Sequence, residues 1–174
     1  MIFHSTELQG AFVIELNKIQ DARGFFARVW CEKEFAEHGL TPMVHQANLS
    51  YNKKKGTLRG MHYQIAPYRE AKTVRCTRGA IYDVIIDLRK DSPTYMHWIG
   101  IELTAENYKM LYVPEQFGHG FLTLEDNTEV TYQVSEFYTP GAERGIRWND
   151  PTFNIHWPGS VEVISEKDDD WPYF

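Results

Sequence analysis

Only two cysteines occur in the 174 residues, Cys31 and Cys76, and they follow no metal or redox spacing. A disulfide framework is therefore not expected. No N-terminal apolar stretch has the form of a signal peptide, and no run approaches the length needed to cross a bilayer. The chain reads as soluble, unattached to a membrane and placed in a reducing compartment, the cytoplasm. A broad basic tract is also missing: 24 acidic residues outweigh 18 Lys and Arg, a formal charge of −6, which argues against nucleic acid as a partner. The short run Lys53-Lys54-Lys55 reads as a solvated loop. Repeats, low-complexity tracts and linkers are absent too, so residues 1–174 are expected to form one domain.

What the chain does contain is aromatic residues, 14% of the total, and many short apolar stretches divided by turn residues. Strands are predicted at 11–16, 44–50, 58–65, 71–77, 80–88, 97–103, 109–113, 119–124 and 128–137, with a turn at Asp21-Ala22-Arg23-Gly24 leading into another. A single helix is predicted at 31–38, ended by Gly39 and Pro42. The tail from 150, with Pro151, Pro158 and Pro172, reads as irregular. Residues 80–88 (AIYDVIIDL) are apolar on both parities, as in a strand covered on each side. In 128–134, Val130, Tyr132 and Val134 share one face, so Tyr132 is expected to point inward. About ten short strands and little helix give an all-β sandwich or jelly-roll barrel with a central pocket.

Chemistry concentrates in two stretches. One is Leu58-Arg59-Gly60-Met61-His62-Tyr63-Gln64, followed by Pro67, Glu70 and Lys72; the other is Val113-Pro114-Glu115-Gln116-Phe117-Gly118-His119-Gly120-Phe121. A histidine on one strand and a later Pro-x-x-x-Gly-His turn resemble the two halves of the cupin pattern. Cupins commonly hold a metal with a His-x-His pair, a glutamate and a second-half histidine. Here the second position of the pair is Gln64, and an amide is a poor transition-metal ligand. A three-ligand site from His62, Glu70 and His119 is the alternative left open. Arg59 and His62 lie on opposite strand parities, so both reach one pocket only if Gly60 marks a bend or bulge. Lys72, Val74 and Cys76 share a face, which favours an inward lysine.

Further motifs extend the pattern along nearly the whole chain. They include Asp21-x-Arg23-Gly24-x-Phe26, Gln46-x-Asn48-x-Ser50, Lys72-x-Val74-x-Cys76, Gly79-x-x-x-Asp83-Val84, Asp87-Leu88-Arg89, Tyr138-x-Pro140, Glu143, Trp148-x-Asp150-Pro151 and Ser165-x-Lys167-Asp168. As an ordered set with the two stretches above, they resemble the dTDP-4-dehydrorhamnose 3,5-epimerase family. That resemblance implies a cupin-like antiparallel jelly roll with a few short helices, a homodimer, and a nucleotide-linked 4-keto-6-deoxyhexose as substrate. The implied reaction inverts C3 and C5, turning dTDP-4-dehydro-6-deoxyglucose into dTDP-4-dehydrorhamnose. A C–H bond beside a ketone is acidic enough for a base, an enolate stabiliser and an opposed acid to suffice, with no metal or organic cofactor.

The resemblance implies His62 as the base, oriented by Asp168, which is chosen over its neighbours Asp169 and Asp170 by register. It implies Lys72 as the enolate stabiliser and Tyr132 as the acid. It assigns Arg23, Gln46, Asn48, Arg59, His119, Glu143 and Lys167 to substrate binding, with Phe26 and Tyr138 placed to stack on the base. Arginine forks suit diphosphate oxygens.

Two departures stand out. Arg28 replaces the family's usual glutamate, so either it points elsewhere or the nucleotide differs, CDP or GDP for example. Near Glu70 and Ala71 the family frequently carries glutamine. Epimerisation at a single carbon, C3 or C5, stays open as the alternative outcome of the same acid–base set.

Overall fold

A computed structural model describes residues 1–174 and consists largely of antiparallel strands. In chain order these are β1 (Ile2–Ser5), β2 (Phe12–Glu15), β3 (Ile19–Asp21), β4 (Gly24–Phe26), β5 (Gln46–Asn52), β6 (Leu58–Gln64) and β7 (Lys72–Arg78). Then come β8 (Ala80–Asp87), β9 (Trp98–Thr104), β10 (Met110–Val113), β11 (Phe117–Thr123), β12 (Thr128–Val134) and β13 (Glu143–Gly145). Two helices interrupt them, α1 (Glu32–Glu37) and α2 (Glu166–Asp169).

Two sheets face each other in a jelly roll, one ordered β1-β2-β10-β7-β12-β5 and the other β13-β6-β11-β8-β9. The alternation of β7 and β12 explains the packing between them. Val74, Cys76 and Val130 turn inward to meet Ile81, Ile85, Leu103 and Phe121 of the facing sheet. Each such buried aliphatic chain contributes about 1.5–3 kcal/mol relative to exposure. β8 is buried along almost its whole length, as its double-sided apolar pattern requires. Its inner face meets this core, while Val84 and Ile86 join Met61, Ile146 and Phe153 on the outer side.

β3 and β4 pair only with each other, an exposed hairpin outside both sheets. The strand predicted to run from 128 to 137 ends at Val134. β1, β3 and β13 lie outside the predicted strands, and the tail that reads as irregular carries α2. Ser165 caps that helix by accepting from the Asp168 backbone N–H at 3.1 Å. The cysteines are both free, with Cys76 buried and its thiol pushed up to about 11 by that burial. No helix is long and apolar enough to cross a membrane.

Candidate active site

Between the sheets lies a cavity of about 660 Å³, a size suited to a small-molecule ligand. One wall comes from β5, β7 and β12. In this wall Gln46, Val134 and Lys72 lie in one cross-strand row, with Asn48, Tyr132 and Val74 in the row beside it. Residues in register share a face, so these rows bring Gln46, Asn48, Lys72 and Tyr132 to the cavity together. The opposite wall is built by Arg59, His62 and Gln64 of β6, Phe121 of β11 and Glu143 of β13.

Gly60 resolves the parity conflict in β6. His62 pairs with His119 and Arg59 with Phe121, so two residues of β6 stand against Gly120 alone, a bulge. Gly60 has φ +129, and a Cβ there would lie 2.5 Å from the Gly120 Cα. Only bare backbone permits that approach. The extra residue turns Arg59 to the same cavity as His62.

His62 Nε2 lies 2.6 Å from Asp168 Oδ1, and Asp168 Oδ2 accepts from the Gly60 N–H at 3.2 Å. Burial alone would raise the Asp168 carboxyl, but the hydrogen bond and charge of His62, together with the Gly60 N–H, hold it below the ordinary carboxylate value. An ionised Asp168 can only accept, so Nε2 carries the proton and the free lone pair is on Nδ1. Of the neighbouring carboxylates Asp168 is the one that meets His62, whereas Asp169 accepts from Trp148 Nε1 at 3.1 Å.

Lys72 is buried and its ammonium stands 3.0 Å from Glu70 Oε1, with both side chains about one-tenth exposed. Tyr132 is raised above its usual value, first by burial and then by the Glu70 charge, with Arg59 opposing. Glu143 pairs with Lys167 and receives the Tyr138 hydroxyl at 3.4 Å. Arg59 donates to Asn52 Oδ1 at 2.7 Å and has no carboxylate partner. The cavity's cations are thus mostly spoken for, and the one left to an incoming anion is Arg59.

Several expected site residues are placed differently. His119 does not line the cavity; it is buried, and its Nε2 contacts Asp83 Oδ1 at 2.8 Å. Lys167 reaches the rim only through Glu143. Arg23 and Phe26 stand on the β3–β4 hairpin away from the cavity, Arg23 in an exposed ion pair with Asp21 at 2.6 Å and Phe26 72% exposed. Neither residue is part of this cavity's wall. The three-ligand metal alternative fails on geometry: Glu70 is turned to Lys72 and His119 to Asp83, and no three metal-binding side chains converge. Gln64, where cupins carry a second histidine, accepts from the Thr139 N–H and donates to the Tyr68 and Phe137 carbonyls. Its amide ties two loops to the rim, work for which an imidazole lacks the groups. Arg28 donates to Glu34 at 2.7 Å and is not in the cavity wall.

The role of Asp83 behind His119 was missed. A carboxylate in the middle of the apolar strand AIYDVIIDL was the available signal, since a buried acid needs a partner. Tyr51 also lines the cavity without having been singled out.

A sequence profile described as dTDP-4-dehydrorhamnose 3,5-epimerase matches residues 5–174. The dTDP-4-dehydrorhamnose 3,5-epimerase of Shigella flexneri is 42% identical over 164 residues, covering 94% of this chain and 90% of the relative. A Bacillus anthracis dTDP-4-dehydrorhamnose 3,5-epimerase, solved with TDP and PPi bound, superposes with a TM-score of 0.95 at 40% identity, covering 99% of each chain. A 3'-monoepimerase from Streptomyces bikiniensis in complex with dTDP-quinovose gives a TM-score of 0.89 at 31% identity, covering 98% of this chain and 86% of the other.

Proposed function

The chain belongs to the dTDP-4-dehydrorhamnose 3,5-epimerase family, and from that premise we infer that it inverts C3 and C5 of dTDP-4-dehydro-6-deoxyglucose. One observation carries the reading: an oriented histidine base, a phenol and an ammonium share one cavity. His62 Nδ1 takes the proton from a carbon beside the ketone. The C–H electron pair becomes the enolate double bond, and the charge moves to the C4 oxygen, where Lys72 stabilises it. Asp168 stabilises the imidazolium that forms. Tyr132 then gives its proton to the carbon from the opposite wall, which inverts the centre. Solvent restores Tyr132 and removes the proton from His62. Nothing in this sequence calls for a metal or organic cofactor.

Arg59 takes the diphosphate, as the cavity's cation without a carboxylate partner. Gln46, Asn48, Tyr138 and the Glu143–Lys167 pair surround the remaining polar groups. Arg28, engaged with Glu34, leaves thymidine recognition to other residues.

The functional unit is a homodimer on this reading. β5 is an edge strand with Leu49 and Tyr51 exposed, and the hairpin presents Ile19 and Phe26 to solvent. A partner chain would cover both and bring Arg23 and Phe26 to a nucleotide. Light scattering at micromolar concentration tests this, and a strict monomer refutes it. For the reaction, the protein is incubated with the substrate in D2O and C3 and C5 are followed by NMR. Deuterium at both carbons, lost in His62→Ala, is expected. Label at one carbon alone makes it a single-centre enzyme, and no label defeats the reading.

A further inference from the structure

Glu70 has no place in the reaction as described so far, yet it lines the same cavity as His62 and Tyr132. It is nearly buried, and its one partner in the chain is Lys72, 3.0 Å away. An ion pair at this depth costs desolvation of both groups, and replacing such a pair by apolar residues is often neutral or stabilising. Stability is therefore a weak account of why a carboxylate stands here. A carboxylate offers about four acceptor positions, and one ammonium occupies a single one of them. The remaining acceptors sit beside the atom assigned to the ketone oxygen.

That spacing matches a feature of the substrate class. In a sugar with a ketone at C4 and a hydroxyl at C3, the two oxygens sit on neighbouring carbons about a hydrogen-bond length apart. Their needs are opposite, since the ketone oxygen accepts and the hydroxyl donates. Lys72 and Glu70 present a donor and an acceptor at the same separation.

Resting on the epimerase reading, we infer that Glu70 is a substrate-positioning residue for the C3 half of the reaction, accepting a hydrogen bond from the hydroxyl beside the ketone while Lys72 holds the ketone oxygen. The consequence is stereoelectronic. With both oxygens held, the C3 hydroxyl stays in the plane of the carbonyl, and the remaining C3–H bond stands out of that plane. Only in that orientation does the breaking bond overlap the carbonyl π system, so the pair poses C3–H for the base. C5 carries a methyl group and the ring oxygen, with no hydroxyl for Glu70 to hold. Glu70 therefore acts on one of the two centres.

Both carbons report in a single experiment. Initial rates of deuterium entry at C3 and C5 are measured by NMR for the wild-type protein, Glu70→Ala and Glu70→Gln, with dTDP-4-dehydro-6-deoxyglucose in D2O. Loss of the hydrogen bond in Glu70→Ala lowers the C3 rate relative to C5 by about tenfold or more. Glu70→Gln keeps a carbonyl acceptor and holds the ratio within about threefold of wild type. The ratio is independent of the folded fraction, and any general effect on Lys72 falls on both carbons. An unchanged ratio in Glu70→Ala, or a glutamine variant as impaired as the alanine variant, overturns the role of Glu70 alone. A wild-type protein that labels neither carbon overturns the epimerase reading and this one with it.

Discussion

His62 and His119 stand directly opposite each other in the β6–β11 ladder, and each offers Nε2 to a different carboxylate, Asp168 at 2.6 Å and Asp83 at 2.8 Å. Their surroundings separate their roles. His62 is 29% exposed at its side chain and faces the cavity, so its second nitrogen is free to take a proton. His119 is shut in at 9%, which makes its pair with Asp83 a support beneath the site.

Replacing Asp168 by Asn removes the charge behind the base while keeping its shape. The expected result is a loss of about two to four orders of magnitude in kcat with little change in KM, read by NMR or coupled kinetics. The pH dependence of stability has a definite sign. The folded-state pKa of Asp168 is depressed, so the pair's contribution is fully present above the unfolded carboxylate value of about 3.9 and is lost as pH falls through the lower folded value.

Tyr132→Phe deletes the acid and leaves the base intact. Conversion to the inverted product falls by about a hundredfold or more, while deuterium still enters recovered substrate through solvent exchange at His62. Burial, reinforced by Glu70, keeps the phenol protonated beyond its ordinary range. An alkaline loss of activity arising from Tyr132 is therefore expected only above about pH 10.

Gly60→Ala tests the bulge. The new methyl would meet the Gly120 Cα at 2.5 Å and the His119 carbonyl oxygen at 2.8 Å, at a φ of +129. Backbone strain and overpacking together cost about 3 kcal/mol, measurable by urea unfolding. The surviving folded protein loses activity as well, because Arg59 and His62 no longer share a wall.

Asp87 lies outside the cavity and supplies a control for stability alone. Its buried carboxylate receives Arg89 at 2.7 Å and the Thr94 hydroxyl at 2.7 Å. Burial opposes ionisation, but these bonds prevail and set its pKa at about 2. Its stabilisation is complete above about pH 4 and disappears as pH falls through about 2. Asp87→Asn costs about 2 kcal/mol at neutral pH, and the difference from wild type closes in acid, as thermal melts across pH will record.

The residues that alternation governs were the ones legible in the sequence. Lys72 with Val74 and Cys76, and Tyr132 with its two valines, point inward because a strand's period leaves no other choice. Gly60 was legible as a necessity, since Arg59 and His62 could not otherwise meet. β13 escaped because a three-residue strand is fixed by a distant partner, Glu143 by Gln64 for instance. Arg23 and Phe26 mark the other limit. A local motif names a residue type, whereas which cavity it reaches depends on the path of a hairpin that lies outside both sheets. His119 points inward but lies behind the cavity wall against Asp83, for an inward histidine and a ligand-lining one look the same on paper.

The capped turn that carries Asp168 also sets a timetable. The last strand ends at Gly145, and the carboxylate that completes the base arrives 106 residues after the histidine it serves. Every wall of the barrel is translated before that carboxylate leaves the ribosome. On the epimerase reading, removing the α2 turn would silence the chemistry while leaving every strand of the two sheets in the chain.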